Sequence, residues 1–288
     1  MKKFKAYLTA LVSGAALLSG VSHSRADEQL FGLVRSAETL PEGRSELYQF
    51  ATLRTGKAEG SYYAMDFDTE VEHGFTDKFQ ASLEVENRYF DNHDVNGDRD
   101  ALDDKDQYRF GGVAAAAKYR VLSTFENPIG LALRVESGYL FNDEVDGLAE
   151  NEFYFAPEID LQKDFRDDTL ITAVWAGTEL AWGKRPAELY TRELAWQGGT
   201  GLAYRLAPNW FAGVEGDVRA EYSMFDFNNF EHVVIYAGPS LHYSAQRWWV
   251  TLSYLYQAWG NGVGEPADGR TYAEETDMQV ILKVGFNF

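Results

Sequence analysis

Acidic side chains recur at every second position in several parts of the chain, and this spacing has chemical consequences. Asp66, Asp68, Glu70 and Glu72 form one run, and Glu84 and Glu86 with Arg88 form another. The pattern continues with Arg134 and Glu136, Glu158 and Asp160, Glu179, Glu193, and then Glu215, Asp217, Arg219 and Glu221. Side chains two apart on a strand point the same way, so each run gathers its charges on one face. The bases sharing these faces are Arg88, Lys118, Arg120, Arg134, Arg205, Arg219 and Lys283, and they are outnumbered by the acids. Enclosed charges must be paired or wet, because an unpaired buried charge is costly. One chemistry that suits such faces is a hydrated passage in which the acids favour cations. The other is a plugged scaffold held by salt-bridge networks and counter-ions.

Two smaller constellations stand apart from these faces. In the polar stretch 91–107, Asp94, Asn96, Asp98 and Asp100 offer alternate oxygen ligands around Gly97, as a calcium-binding loop does. The spacing does not complete an EF-hand, since no bidentate Glu closes it, and the alternative is a solvated acidic loop. His242 and Ser244 lie two apart and could serve as base and nucleophile. The stretch His242-Tyr243-Ser244 resembles the His-x-Ser pair of outer-membrane lipid A deacylases and phospholipases, which implies a lipid or lipopolysaccharide hydrolase. No acid or amide is placed to orient His242, and an interior histidine beside a turn serine is the competing reading. His73, His93 and His232 are scattered without ligand spacing. Phosphate-cradling glycine loops and dinucleotide fingerprints are absent, and no cofactor is expected.

The elements that must position these residues are strands. From Arg44 onward the chain alternates apolar and polar residues in runs joined by turns, the mark of strands with one oily and one wet face. Clean runs cover 61–73, 79–89, 113–121, 129–141, 153–165, 170–182, 194–206, 210–222, 233–243, 248–258 and 277–288, with a weaker one at 46–54. The count is about twelve, an even number, as bacterial barrels require. Connections alternate between short turns, as at 74–77 and 207–209, and longer polar loops at 91–107, 142–151, 183–189, 223–232 and 261–276. The oily faces carry aromatics towards both ends, Phe79, Tyr119, Trp210 and Trp248 on the turn side and Tyr89, Phe153, Trp182 and Trp196 on the loop side. Two such girdles are what a membrane interface selects. The last strand ends on Phe288 and resembles the closing strand of bacterial outer-membrane β-barrels, whose assembly machinery recognises it. A second resemblance runs from Thr52 to Lys57 and from Glu72 to Gln80, to a family of uncharacterised putative outer-membrane proteins, and brings no chemistry with it.

At the other end, Lys2, Lys3 and Lys5 precede an apolar run from Ala6 to Leu18 and a small-x-small exit at Ser24-Arg25-Ala26. This predicts a secretory signal peptide over 1–26, cut after Ala26. The apolar run is shorter than the roughly 20 residues of a spanning helix, so any membrane crossing falls to a closed barrel. The chain holds 45 acidic and 26 basic residues, and cleavage would remove four of the bases (Lys2, Lys3, Lys5 and Arg25) and no acid. Such a surface repels nucleic acid. With no cysteine there is neither a disulfide framework nor a thiolate metal site.

The expectation is an all-β, transmembrane antiparallel β-barrel of about twelve strands, with short periplasmic turns and long external loops, in the outer membrane of a Gram-negative cell. Residues 44–288 form the barrel, and 27–43 form a periplasmic lead-in or small plug to which no chemistry is assigned. Expected partners are outer-membrane lipids and lipopolysaccharide, the barrel-assembly machinery and small solutes. A porin-like channel for cationic or neutral solutes leads the functional readings, ahead of the hydrolase and a plugged structural or adhesion barrel.

Overall fold

The computed structural model describes residues 29–95, 102–166, 168–185, 189–265, 268–272 and 274–288. Twelve strands make up the regular structure: β1 (Ser45–Thr55), β2 (Ser61–Thr76), β3 (Phe79–His93), β4 (Lys105–Leu122), β5 (Gly130–Asn142), β6 (Ala149–Phe165), β7 (Leu170–Arg185), β8 (Leu189–Ala207), β9 (Trp210–Ser223), β10 (Phe230–Ser244), β11 (Trp248–Gly262) and β12 (Met278–Asn287). Each pairs antiparallel with its chain neighbours, and β1 pairs with β12 to close the barrel. The closing register sets Leu47 opposite Phe286 and Ala51 opposite Leu282, so the apolar face of the last strand continues round the outside. Closure leaves no unpaired edge, the condition a sheet must meet in lipid.

Alternation decides which side chains face out. On β3, Leu83 is 70% exposed and Val85 is exposed beside it, while Ser82, Glu86 and Arg88 are buried within the barrel. The outward belt is rimmed by touching aromatics. Trp210, Tyr243 and Trp248 stand in series at the turn end, with ring centroids 4.8 and 5.2 Å apart. At the loop end Phe153 lies 5.9 Å from Trp182. An apolar belt of this extent is a liability in water and an asset in lipid. Leu83 sits midway between the girdle residues Phe79 and Tyr89, so Leu83→Arg should destabilise the barrel by about 2–4 kcal/mol when folding into vesicles is titrated with denaturant. A midpoint matching that of the parent protein would mean that this face does not meet hydrocarbon.

The strands extend further at the loop end than alternation predicts. β4 starts at Lys105 rather than near 113, and β8 at Leu189 rather than near 194. Pairing continues there, with Asn92 opposite Lys105 and Lys184 opposite Tyr190. Beyond the hydrocarbon an outward residue need not be apolar, so the pattern fades while the hydrogen-bond ladder goes on.

The stretch preceding β1 lies inside the barrel. Leu30, Phe31 and Val34 are buried against Ile171, Ala173 and Trp175 of β7, Ala203 of β8 and Phe211 of β9. Gly201 on β8 makes room for this contact, since a Cβ there would stand 2.7 Å from the Phe31 ring. Burying these apolar inward faces, which would otherwise meet lumen water, favours the docked segment.

Candidate functional site

The interior combines a docked segment with a charged cavity. The segment is held chiefly by Glu215 of β9. The backbone N–H groups of Gly32 and Leu33 donate to its carboxylate at 2.8 Å each, and that of Val34 at 3.3 Å. Successive N–H groups converging on one carboxylate form an anion nest. The Ser253 hydroxyl of β11 adds a fourth donor at 2.6 Å. Gly32 is required here, because a Cβ would stand 2.8 Å from Ser253 and 3.2 Å from Glu215.

From this anchor the segment crosses the turn end of the lumen. Arg35 donates to Glu158 of β6 at 2.6 Å, and Lys118 of β4 donates to the Ser36 carbonyl at 2.7 Å. Glu38 accepts from Arg120 at 2.7 Å and from the Thr124 backbone at 2.9 Å. The Leu40 N–H donates to Gln80 of β3 at 2.7 Å, and Thr39 donates to the Asp77 carbonyl in the β2–β3 turn at 2.9 Å. Burial and Arg134 weigh against the Arg35 charge, but Glu158, Glu136 and Asp160 outweigh them and hold its pKa above the ordinary value.

Above the segment lies a cavity of about 420 Å³, and a second of about 210 Å³ adjoins it. Leu33, Arg35, Thr52, Asp68, Glu84 and Glu136 line both, so the two meet beside the segment. The larger opens towards the loop end past Glu144, Glu150, Glu193 and Glu274, and the smaller reaches Tyr48 and Glu72 towards the turn end. Most walls carry ion pairs. Arg54 grips Asp66 through two bonds of 2.8 and 2.9 Å, and Arg88 reaches Glu86 at 2.8 Å and Glu144 at 3.0 Å. Arg134 pairs with Glu136 and, at 3.3 Å, with Glu158. Arg219 pairs with Glu221 and, at 3.0 Å, with Glu179. At the loop rim burial works to raise the Glu144 pKa, but Arg88, Arg54 and Arg219 pull it below the usual carboxylate range and keep it anionic.

Among the described residues no ion pair engages Asp68, Glu70 or Glu84, nor Glu152, Glu193 and Asp217 of the larger cavity. Glu70 stands opposite Glu84 and Asp68 opposite Glu86 across β2 and β3. Like charges directly opposed repel, and a cation between them relieves the repulsion.

Of the residues singled out from sequence, Asp66, Asp68, Glu84, Glu86, Arg88, Glu136, Asp217 and Arg219 line the larger cavity, and Glu70 and Arg134 the smaller. Glu158, Asp160 and Glu215 face inward too, but Glu158 and Glu215 are committed to the segment. Asp160 is fully buried, with Lys118 at 3.7 Å. Not singled out from sequence were Arg35, Glu38 and Glu144, in stretches taken as irregular, and Arg54, at the end of the weakest strand run. Of the calcium candidates, Asp94 adopts a left-handed φ of 53° and its N–H donates to Asp104 at 2.9 Å, whereas Asn96, Asp98 and Asp100 lie outside the described residues, as does the stretch 1–26.

His242 has the surroundings of a supporting residue. It is buried between the Phe211 and Trp249 rings, with Nδ1 at 2.7 Å from the Thr251 hydroxyl. Thr251 spends its single hydrogen on the Gln29 carbonyl at 2.6 Å, so His242 donates and Thr251 accepts. Ser244 ends β10, where its N–H donates to the Asn209 carbonyl at 3.0 Å.

A closed twelve-strand antiparallel barrel with an apolar exterior and a charged lumen defines a transmembrane β-barrel of the outer-membrane class. The chain belongs to DUF6662, a family of unknown function, which matches residues 23–288. No curated protein matches it. Among solved structures it is similar to the COG4313 outer membrane channel from Pseudomonas putida F1, at 10% identity and a TM-score of 0.61, covering 88% of this chain and 98% of that one. It is also similar to the NanC porin, at 12% identity and a TM-score of 0.50, covering 83% of this chain and 98% of that one. At these identities the likeness is one of fold alone.

Proposed function

We propose that the protein is a narrow outer-membrane channel for small cationic or neutral solutes, closed at its turn end by residues 29–40. The observation that carries this reading is the acid-lined space formed by the two adjoining cavities, with Asp68 and Glu84 at their junction. Unpaired carboxylates in a confined aqueous space raise the local cation concentration and repel anions. The turn end faces the periplasm, the chain is exported by way of residues 1–26, and Phe288 presents the last strand to the assembly machinery. Outer-membrane lipid and lipopolysaccharide surround the apolar belt. The two similar structures, a channel and a porin, suit this reading by analogy of fold. The hydrolase alternative is disfavoured, because His242 supports Thr251 and the segment.

Replacing Asp68→Asn and Glu84→Gln together should shift the reversal potential in a salt gradient towards zero while leaving the barrel folded. An unchanged reversal potential in a conducting double variant would take these acids off the solute path.

A further inference from the structure

The loop end of the lumen holds a group that the channel reading does not use. Glu221 of β9, His232 of β10 and Glu274 of the β11–β12 loop each bring a potential ligand atom within 4.8 Å of the others. We propose that these three side chains bind a first-row divalent cation of the zinc class in the wall of the cavity.

Several features support a ligand at this place. Glu221 is 3% exposed; its Oε1 accepts from Arg219, its carboxyl group meets that of Glu274 within hydrogen-bonding reach, a contact between two acids that a cation would bridge, and its Oε2 has no other partner. That oxygen lies 3.7 Å from His232 Nδ1. Ligand atoms around a tetrahedral zinc at about 2.0–2.2 Å stand roughly 3.4 Å apart, so this pair is already close to the required separation. Glu274 comes from a connecting loop, which can supply the remaining closure. The opposite ring nitrogen, His232 Nε2, lies 3.3 Å from Glu275 Oε1. Glu275 lies 3.1 Å from the Tyr236 hydroxyl, whose hydrogen goes to the Thr276 carbonyl at 2.5 Å. A carboxylate fixing the far nitrogen of a ligating histidine sets its tautomer and strengthens it as a donor. A bound cation would take the Nδ1 lone pair on the Glu221 side and leave Nε2–H directed at Glu275. One imidazole and two carboxylates suit zinc or its first-row neighbours better than calcium or magnesium, which favour all-oxygen shells. The fourth position faces the cavity, where water or a solute group would complete the shell.

The test is equilibrium binding to the folded full-length barrel in detergent, which does not depend on whether the barrel conducts. Zinc titrated calorimetrically should bind one to one, and His232→Gln and Glu274→Gln should each weaken it by more than about tenfold. Glu274→Gln alters a loop residue, so it keeps the test valid if the buried His232 variant fails to fold. Cobalt(II) in place of zinc should give visible bands characteristic of low coordination, and these should be lost in the same variants. Absence of zinc binding to the parent protein, or equal affinity in parent and Glu274→Gln, would overturn the assignment. Displacement of zinc by equimolar magnesium or calcium would overturn it as well, since the histidine would then have no part in the site.

Discussion

Joining residues 37 and 130 by a disulfide, through Ala37→Cys and Gly130→Cys, is expected to abolish the current carried by this barrel, and reduction is expected to restore it. Gly130 opens β5 at the turn end, and a Cβ built there stands 3.1 Å from the Ala37 Cβ and 2.9 Å from the Thr124 methyl carbon, which must turn aside. Disulfides prefer about 3.5–4.5 Å, a difference that a small backbone shift absorbs. The chain has no cysteine of its own, so no native thiol competes for the pair. Tied to β5, the segment cannot leave the turn-end mouth. The measurement is the current per inserted barrel before and after reduction, with cross-linking followed by mass. Equal currents in the cross-linked and reduced forms would show that solutes pass without moving the segment.

Glu215→Ala is expected to have the opposite effect. It removes the carboxylate that three successive backbone N–H groups and the Ser253 hydroxyl share. A hydrogen bond to a charged group is worth about 1.5–3 kcal/mol net. Even one such loss, at about 1.4 kcal/mol per tenfold, would raise the open-to-closed ratio by about 10- to 100-fold. Glu215→Gln keeps an acceptor oxygen and should fall between the parent and the Ala variant. Open probability in single-channel records reads the effect directly, and protease cleavage within residues 29–40 should rise in parallel. A Glu215→Ala barrel that opens no more often than its parent would mean that the nest does not hold the gate.

The barrel was legible in the sequence because lipid imposes a strict period. The outward positions from Phe79 to Tyr89 are apolar or aromatic at all but Asn87, and closure favours an even strand count. The inward charges were legible for the same reason, since parity alone turns Asp66, Asp68, Glu84 and Glu86 to the lumen. The stretch 27–43 reads only as a lead-in or small plug, and its contacts inside the barrel were not legible. Residues 29–40 have no period of their own, and Arg35 gains its role only by meeting Glu158 of β6. A signal was nevertheless present. Ile171, Trp175 and Phe211 occupy inward positions that a wet lumen would fill with polar residues, and each is buried with the segment's apolar cluster. The group at Glu221, His232 and Glu274 had no sequence signature, because its members come from two strands and a loop that only the barrel brings together. Loop ends were misjudged wherever pairing outlasts alternation, as in β4 and β8.

The central claim is an acid-lined passage gated by the N-terminal segment. Its most direct test is single-channel recording of the parent protein beside Glu215→Ala in a planar bilayer, with a salt gradient across it. The parent should show brief, cation-biased openings and the variant prolonged openings of the same bias. Silence of both proteins, with each shown to be folded and inserted, would contradict it and leave a sealed scaffold in its place.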